Sequence, residues 1–236
     1  MRSRTFSERL FKESKYLLQT PKRKKEMLIV FDRTVRHLLG ENDPNDNQPI
    51  RKYTNRQKYL VNLFREYYEI KQSLDRIEQS RKFISNIPRS AKKLDYIRYH
   101  YEFYLNELYI FYCRTNHLLD FLITTCQKKK LFSEITTIRN VKNSIKTSMA
   151  GVLKTRGRHV HKRRYENNKM DQISALELFS EKFDVIEAYK DTELRKFKKD
   201  IKMQILLTHK HLSDFLDKDL YKHLGKIIFG TILKSQ

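Results

Sequence analysis

Between Lys154 and Tyr165 the chain places six Lys/Arg, two histidines and a tyrosine around Gly157, and no acidic residue appears before Glu166. Cations at that density repel one another, so folding gives them no reason to gather, whereas a polyanionic partner does. Arginine suits phosphate because its forked N–H donors match two phosphate oxygens and it stays charged at any working pH. Histidine passes between neutral and protonated forms near pH 7. These residue types fit metal-free cleavage of RNA. The 2′-hydroxyl attacks its own phosphate, a histidine moves protons, and guanidinium groups hold the charge of the phosphorane. The products of such a step are a 2′,3′-cyclic phosphate and a 5′-hydroxyl end.

Arg156 and His161 are the candidate catalytic pair. Arg158, His159, Lys162, Arg163, Arg164 and Tyr165 are the candidate phosphate- or RNA-binding residues. On a regular helix, positions five apart differ by about 140° around the axis, so Arg156 and His161 would not share a face. Gly157 is a poor helix-interior residue and suits a terminus or bend. A helix starting just after it lets Arg156 fold back from the preceding loop toward His161. Arg158, His161 and Arg164 or Tyr165 then line one side at i, i+3 and i+6 or i+7. Each residue also fits a plainer role: the arginines as phosphate contacts alone, His161 as a surface or interface histidine, Tyr165 as a packing residue with a bonded hydroxyl.

Arg156-Gly157-Arg158-His159-Val160-His161 fits the pattern R-x4-H. Followed by Lys162-Arg163-Arg164-Tyr165 and preceded by long amphipathic helices, it resembles the signature of the HEPN superfamily over roughly residues 54–224. The resemblance implies an all-α, HEPN-like helical bundle acting as a homodimer, with the two motifs meeting at the interface. It also implies metal-independent endoribonuclease activity of the kind used in toxin–antitoxin, abortive-infection and CRISPR defence, with an antitoxin protein as a further partner in the toxin case. Other members of the superfamily are non-catalytic RNA- or nucleotide-binding modules. The alternative reading is accordingly a helical RNA-binding or regulatory protein that uses the same basic patch. Gly157 departs from the family pattern, in which the residue after the arginine is usually polar.

The whole chain supports an anionic partner. It has 236 residues with 50 Lys+Arg against 28 Asp+Glu, a net charge of +22. The charge is uneven: Arg139 to Lys169 holds ten Lys/Arg and one acid, and Arg2 to Lys25 holds nine Lys/Arg against Glu8 and Glu13. RNA stands ahead of an anionic membrane surface as the partner. No H-E-x-x-H occurs, and Cys113 and Cys126 lack zinc-site spacing, so neither a metal nor another cofactor is expected. Two cysteines in an apolar helical stretch fit buried free thiols of a reducing cytoplasm. Met1-Arg2-Ser3-Arg4 lacks the apolar core of a signal peptide, and no run approaches the ~18 apolar residues of a membrane span. The expected location is cytoplasmic, with no membrane partner.

The elements that must position the motif follow from periodicity and breakers. Scarce glycine (5) and proline (4) favour long helices. Helices are expected over Phe6–Gln19 and Lys22–Leu39, then a turn-rich loop from Gly40 to Pro49. An N-terminal hairpin and loop (1–52) therefore precedes the bundle proper (53–236). Thr54 should cap a helix to about Asn86, with Tyr59, Leu63, Tyr67, Ile70, Leu74 and Ile77 on its apolar stripe and Pro88 beyond its end. A second, from near Ser90, carries the seam Ile97, Tyr101, Tyr104, Leu108, Phe111, Leu118 and Leu122 and should lie centrally. Its tyrosines could stack bases, but their helical spacing favours the core. Glu107 and Arg114 on it could face the motif; a structural ion pair or solvent exposure is the plainer role. A helix from Leu131 to Met149 ends before Gly151. After the motif, Asp171 or Ser174 should cap a last helical region that continues through Phe179, Phe183, Ile186 and Leu194 toward Leu206 and beyond, with Gly225 and Gly230 punctuating its tail.

Overall fold

The computed structural model describes residues 5–18, 54–154, 167–180 and 183–234. The expected helix Lys22–Leu39 and the loop Gly40–Pro49 lie outside the described residues. The elements in order are α1 (Phe6–Leu18), α2 (Asn55–Ser85), α3 (Lys93–Lys128), α4 (Phe132–Ser148), α5 (Asn168–Ser180), α6 (Asp184–Asp214) and α7 (Leu220–Gly225). Two π-helical stretches, Phe215–Asp219 and Lys226–Ile232, flank α7. No strand occurs among the described residues, and the architecture is an all-α bundle.

Helix α2 starts where Thr54 predicts. Thr54 Oγ1 accepts from the Gln57 N–H at 3.4 Å, and Gln57 Oε1 accepts from the Thr54 N–H at 3.0 Å. Two otherwise unsatisfied donors are thereby closed in a capping box. Every residue of the predicted α2 stripe, from Tyr59 to Ile77, is buried. Pro88 cannot continue the helix, and the Ala91 N–H closes onto its carbonyl at 3.1 Å. This tight turn sends α3 back against α2. The α3 seam from Ile97 to Leu122 is buried throughout. Thr115, which interrupts it, is also fully buried and donates its hydroxyl to the Phe111 carbonyl at 2.8 Å. That internal bond offsets the loss of water at a buried polar group.

Helix α3 is central, packing against α2, α4, α5, α6 and the C-terminal π-helical stretch. Tyr104, wholly buried, pairs its hydroxyl with Thr208 Oγ1 at 3.0 Å, and the Tyr101 hydroxyl donates to Gln204 Oε1 at 3.3 Å. These bonds fix the register of α3 against α6. The N-terminal helix joins the same core: Phe6 is fully buried and stacks on Tyr67 with ring centroids 4.9 Å apart.

Three expectations differ from the structure. The last helical region is not continuous: α5 ends at Ser180 and α6 begins at Asp184, with Phe183 before it in extended backbone (φ −143°, ψ 111°). Phe179 near the end of α5 and Phe183 are each 56% exposed, and Leu178, Val185 and Tyr189 are exposed beside them in sequence. The glycines do not punctuate the tail. Helical backbone passes through Gly225 and Gly230, and a Cβ at Gly225 would lie 2.7 Å from the Tyr221 ring, so close packing explains the glycine there. The π-helical turns keep this tail against the bundle: the Tyr67 hydroxyl donates to Asp217 Oδ1 at 2.5 Å and the Tyr59 hydroxyl to the Ile228 carbonyl at 3.4 Å. Finally, Cys126 is buried but Cys113 is only partly so.

Glu107 and Arg114 face α2. Glu107 is 3% exposed, with Oε1 at 3.5 Å from Arg76 Nη1 and Oε2 buried without a hydrogen bond. Arg114 Nη1 donates to the Glu69 carbonyl at 2.5 Å and to Ser73 Oγ at 3.0 Å. Burial raises the Glu107 pKa, and the charges of Arg76 and Arg114 only partly oppose it. The folded state therefore holds this proton more tightly than the unfolded chain does. Its contribution to stability falls as pH rises from about 4.3, the ordinary glutamate value, through the folded pKa. Glu107→Gln keeps the shape and removes the titration. Urea unfolding at about pH 5 and about pH 7 should show a smaller loss of stability between the two conditions in the variant than in the wild type.

Candidate nucleic-acid interface

The eight residues picked out by the sequence, Arg156, Arg158, His159, His161, Lys162, Arg163, Arg164 and Tyr165, lie outside the described residues. The structure describes the helices that flank them. On the N-terminal side, Ile135, Ile138, Val141, Ile145, Met149 and Val152 recur at helical spacing and pack into or against the core. Helix α4 ends at Ser148, before Gly151 as expected, and helical backbone resumes over 150–154. Nothing lies within 4 Å of where a Gly151 Cβ would sit, and packing does not demand glycine there.

On the C-terminal side, Asn167 caps α5, in the place expected for Asp171 or Ser174. Its Oδ1 accepts from the backbone N–H groups of Lys169 (2.9 Å) and Met170 (3.4 Å), the second and third helical positions. Asp171 lies in the first turn, while Ser174 Oγ accepts from Arg98 Nη2 at 3.1 Å, tying α5 to α3. Met170 and Ile173 are buried. Lys169 pairs with Glu193 of α6, which also accepts from Lys196 at 3.0 Å. Those two lysines hold the Glu193 carboxyl below its ordinary pKa, chiefly through the hydrogen bond from Lys169. Lys169, the last cation of the basic segment, is thus engaged within the fold.

The cations of α4 are arranged differently. Arg139, Lys142 and Lys146 follow at i, i+3 and i+7 and share one side of the helix, flanking its apolar stripe. Lys142 Nζ donates to Asp120 Oδ1 at 2.5 Å, which holds α4 along α3. Arg139 and Lys146 are exposed, and neither has an ion pair among the described residues. Glu134, the only acid of α4, accepts from its neighbour Ser133 at 2.5 Å. Exposed Thr136, Asn140, Asn143 and Thr147 separate the cations with neutral hydrogen-bonding groups. A polyanion lying along α4 would meet Arg139 and Lys146 and neutral polar groups, with the Asp120 carboxylate already taken up by Lys142.

The chain matches no family model, no curated protein and no solved structure. Function is therefore argued from its own residues. Among the described residues no group of His, Cys, Asp and Glu is arranged to hold a metal ion, and no helix is long and apolar enough to cross a membrane.

The α4 strip was within reach of sequence reading, because the i, i+3, i+7 spacing of Arg139, Lys142 and Lys146 is visible there. What the sequence could not reveal is that Asp120 engages the middle cation, while the outer two have no ion pair among the described residues. Because Asn167 both caps α5 and bounds the basic segment, Asn167→Ala should lower stability by about 1 kcal/mol, read from thermal or urea unfolding.

Proposed function

We propose that this protein binds RNA along α4 and the basic segment 155–166, and that the segment cleaves the bound RNA without a metal, as a HEPN-type endoribonuclease. The observation that carries the reading is the pair of exposed cations Arg139 and Lys146 on one side of α4, neither with an ion pair among the described residues, followed by further helical backbone over 150–154 that leads toward the segment. A bound strand following this face would be led to the residues able to do phosphodiester chemistry. In the reaction, Arg156 holds the charge that builds on the phosphorane and His161 moves the proton to or from the reacting oxygens. Arg158, His159, Lys162, Arg163, Arg164 and Tyr165 hold the flanking phosphates and bases. A homodimer that joins two such motifs, an antitoxin partner, a role in toxin or phage-defence systems and a cytoplasmic location belong to the same proposal. They rest on the HEPN resemblance and on composition.

The non-catalytic alternative uses the same cations, so cleavage separates the two. In an RNA cleavage assay with EDTA, the wild type should give 2′,3′-cyclic phosphate ends, and His161→Ala should lose cleavage while keeping most of its RNA affinity. Absence of cleavage in the wild type with RNA affinity intact would leave the binding reading alone. Products formed only when metal is added, and bearing free 3′-hydroxyl ends, would overturn the catalytic one. For the binding component, Arg139→Ala with Lys146→Ala removes two candidate phosphate contacts. The slope of log affinity against log salt for single-stranded RNA should become shallower by about 1.4, at about 0.7 per contact.

A further inference from the structure

A second surface, built wholly from described residues, gathers aromatic rings and exposed cations at the turn between α2 and α3. His100 is 9% exposed and sits among three rings. Phe83 stacks on it at 4.7 Å with planes 20° apart, Tyr96 is tilted against it at 4.5 Å, and Tyr99 meets it edge-on at 5.0 Å. His100 Nδ1 is buried with no hydrogen-bond partner, and burial lowers the pKa of the ring. The imidazole is held as one member of an aromatic stack.

The outer rings of this cluster are not core. Tyr99 is 65% exposed and Phe83 46%, although the tyrosine-rich spacing of α3 favours burial and does bury Tyr101 and Tyr104. Tyr99 falls off the seam and is left in solvent against His100. Cations gather at the same turn. From Gln79 to Leu94 there are five Lys/Arg (Arg81, Lys82, Arg89, Lys92 and Lys93) and no acid. Lys198 of α6 reaches across to donate to the Ser85 carbonyl at 3.1 Å, at the C-terminus of α2. Burial, and then repulsion from Lys202 and Lys93, hold Lys198 below the ordinary lysine pKa, so three helices converge their charge here. The neighbouring acids Glu78 and Asp95 are taken up by Arg81 and Arg98.

Exposed π faces at a turn rich in exposed cations match the two halves of a single-stranded nucleic acid, whose bases stack and whose phosphates carry charge. We propose that Tyr99 and Phe83 stack bases of single-stranded RNA while exposed Lys92, seven residues before Tyr99 and on the same side of α3, holds a phosphate, a site separate from α4 and the segment 155–166. The site deepens the RNA-binding reading above and rests on it. It would hold the strand at a second point, through its bases rather than through charge alone.

The test uses the full chain and two probes of equal length and charge: a 2′-O-methyl oligouridylate, which lacks the attacking hydroxyl, and an abasic oligomer. Binding is followed by fluorescence anisotropy, and circular dichroism checks each variant's fold. Tyr99→Ala should weaken oligouridylate binding about tenfold and leave abasic binding unchanged. Tyr99→Phe, which keeps the ring, should bind like the wild type. Should Tyr99→Ala fail to fold, Tyr99→Leu against Tyr99→Phe gives the same comparison, with Phe83→Leu as a second probe. Unchanged affinity in Tyr99→Ala, or an equal loss on both oligomers, overturns the stacking site. Wild-type protein that binds neither oligomer overturns the RNA-binding reading and this site with it. Arg156→Ala with Arg158→Ala tests the first segment alone: affinity lost there but untouched by Tyr99→Ala sinks only the stacking site. The reverse pattern sinks only the role of that segment.

Discussion

The burial of one face of α3 is the constraint on which the other helices depend. Its seam repeats every three or four residues for seven turns, and an exposed stripe of that length would carry a large hydrophobic penalty at about 25 cal/mol per Å². Helix α2 covers one side because the turn at Pro88 leaves it no other place to go. Helix α4 covers another, returning from a turn in which the Leu131 N–H bonds the Cys126 carbonyl at 2.9 Å. Hydrogen bonds at Tyr101 and Tyr104 then choose the register of α6, something apolar area cannot do because it is indifferent to small slides.

Charge is distributed by the same packing. Many acids near the core are spent on holding helices together: Glu107 with Arg76, Asp120 with Lys142, Asp217 with Tyr67 and Lys71, Glu193 with Lys169 and Lys196. With 28 acids against 50 Lys/Arg, such pairing leaves cations over. Those left over do not scatter evenly. Arg139 and Lys146 on α4 have no ion pair among the described residues, and Lys93, Lys198 and Lys202 repel one another at the C-terminal end of α2, where Lys198 reaches the Ser85 carbonyl. Surface ion pairs contribute little to stability, so the consequence of this arrangement lies in where unopposed positive charge is left.

Long, strongly periodic helices were legible residue by residue. The α2 stripe, the α3 seam and the Thr54 cap all follow from local spacing and from one hydrogen-bonding side chain at a helix start. The tail was not legible. Asn167 caps α5 rather than Asp171 or Ser174, Phe179 and Phe183 are exposed, and Gly225 serves the Tyr221 ring instead of ending a helix. At Asn167 and Gly225 the deciding contacts are local, but residue types that also suit other roles hid them; at Phe179 and Phe183 exposure depends on what the rest of the fold covers. Tyr99 illustrates the same limit within α3. Spacing sets it off the seam, but only the placement of Phe83 and His100 shows what it meets there.

By itself the sequence determined the helical class, the identity of the central helix, the excess of positive charge and the concentration of Arg and His between Lys154 and Tyr165. Each is a property of composition or of spacing along one element, and helical geometry converts spacing into a face directly. The tertiary structure alone decided which cations are neutralised, which aromatic rings reach solvent and which buried carboxylate lies between two arginines. Those outcomes depend on side chains brought together from separate helices, and pairing at that distance is fixed by packing rather than by local sequence.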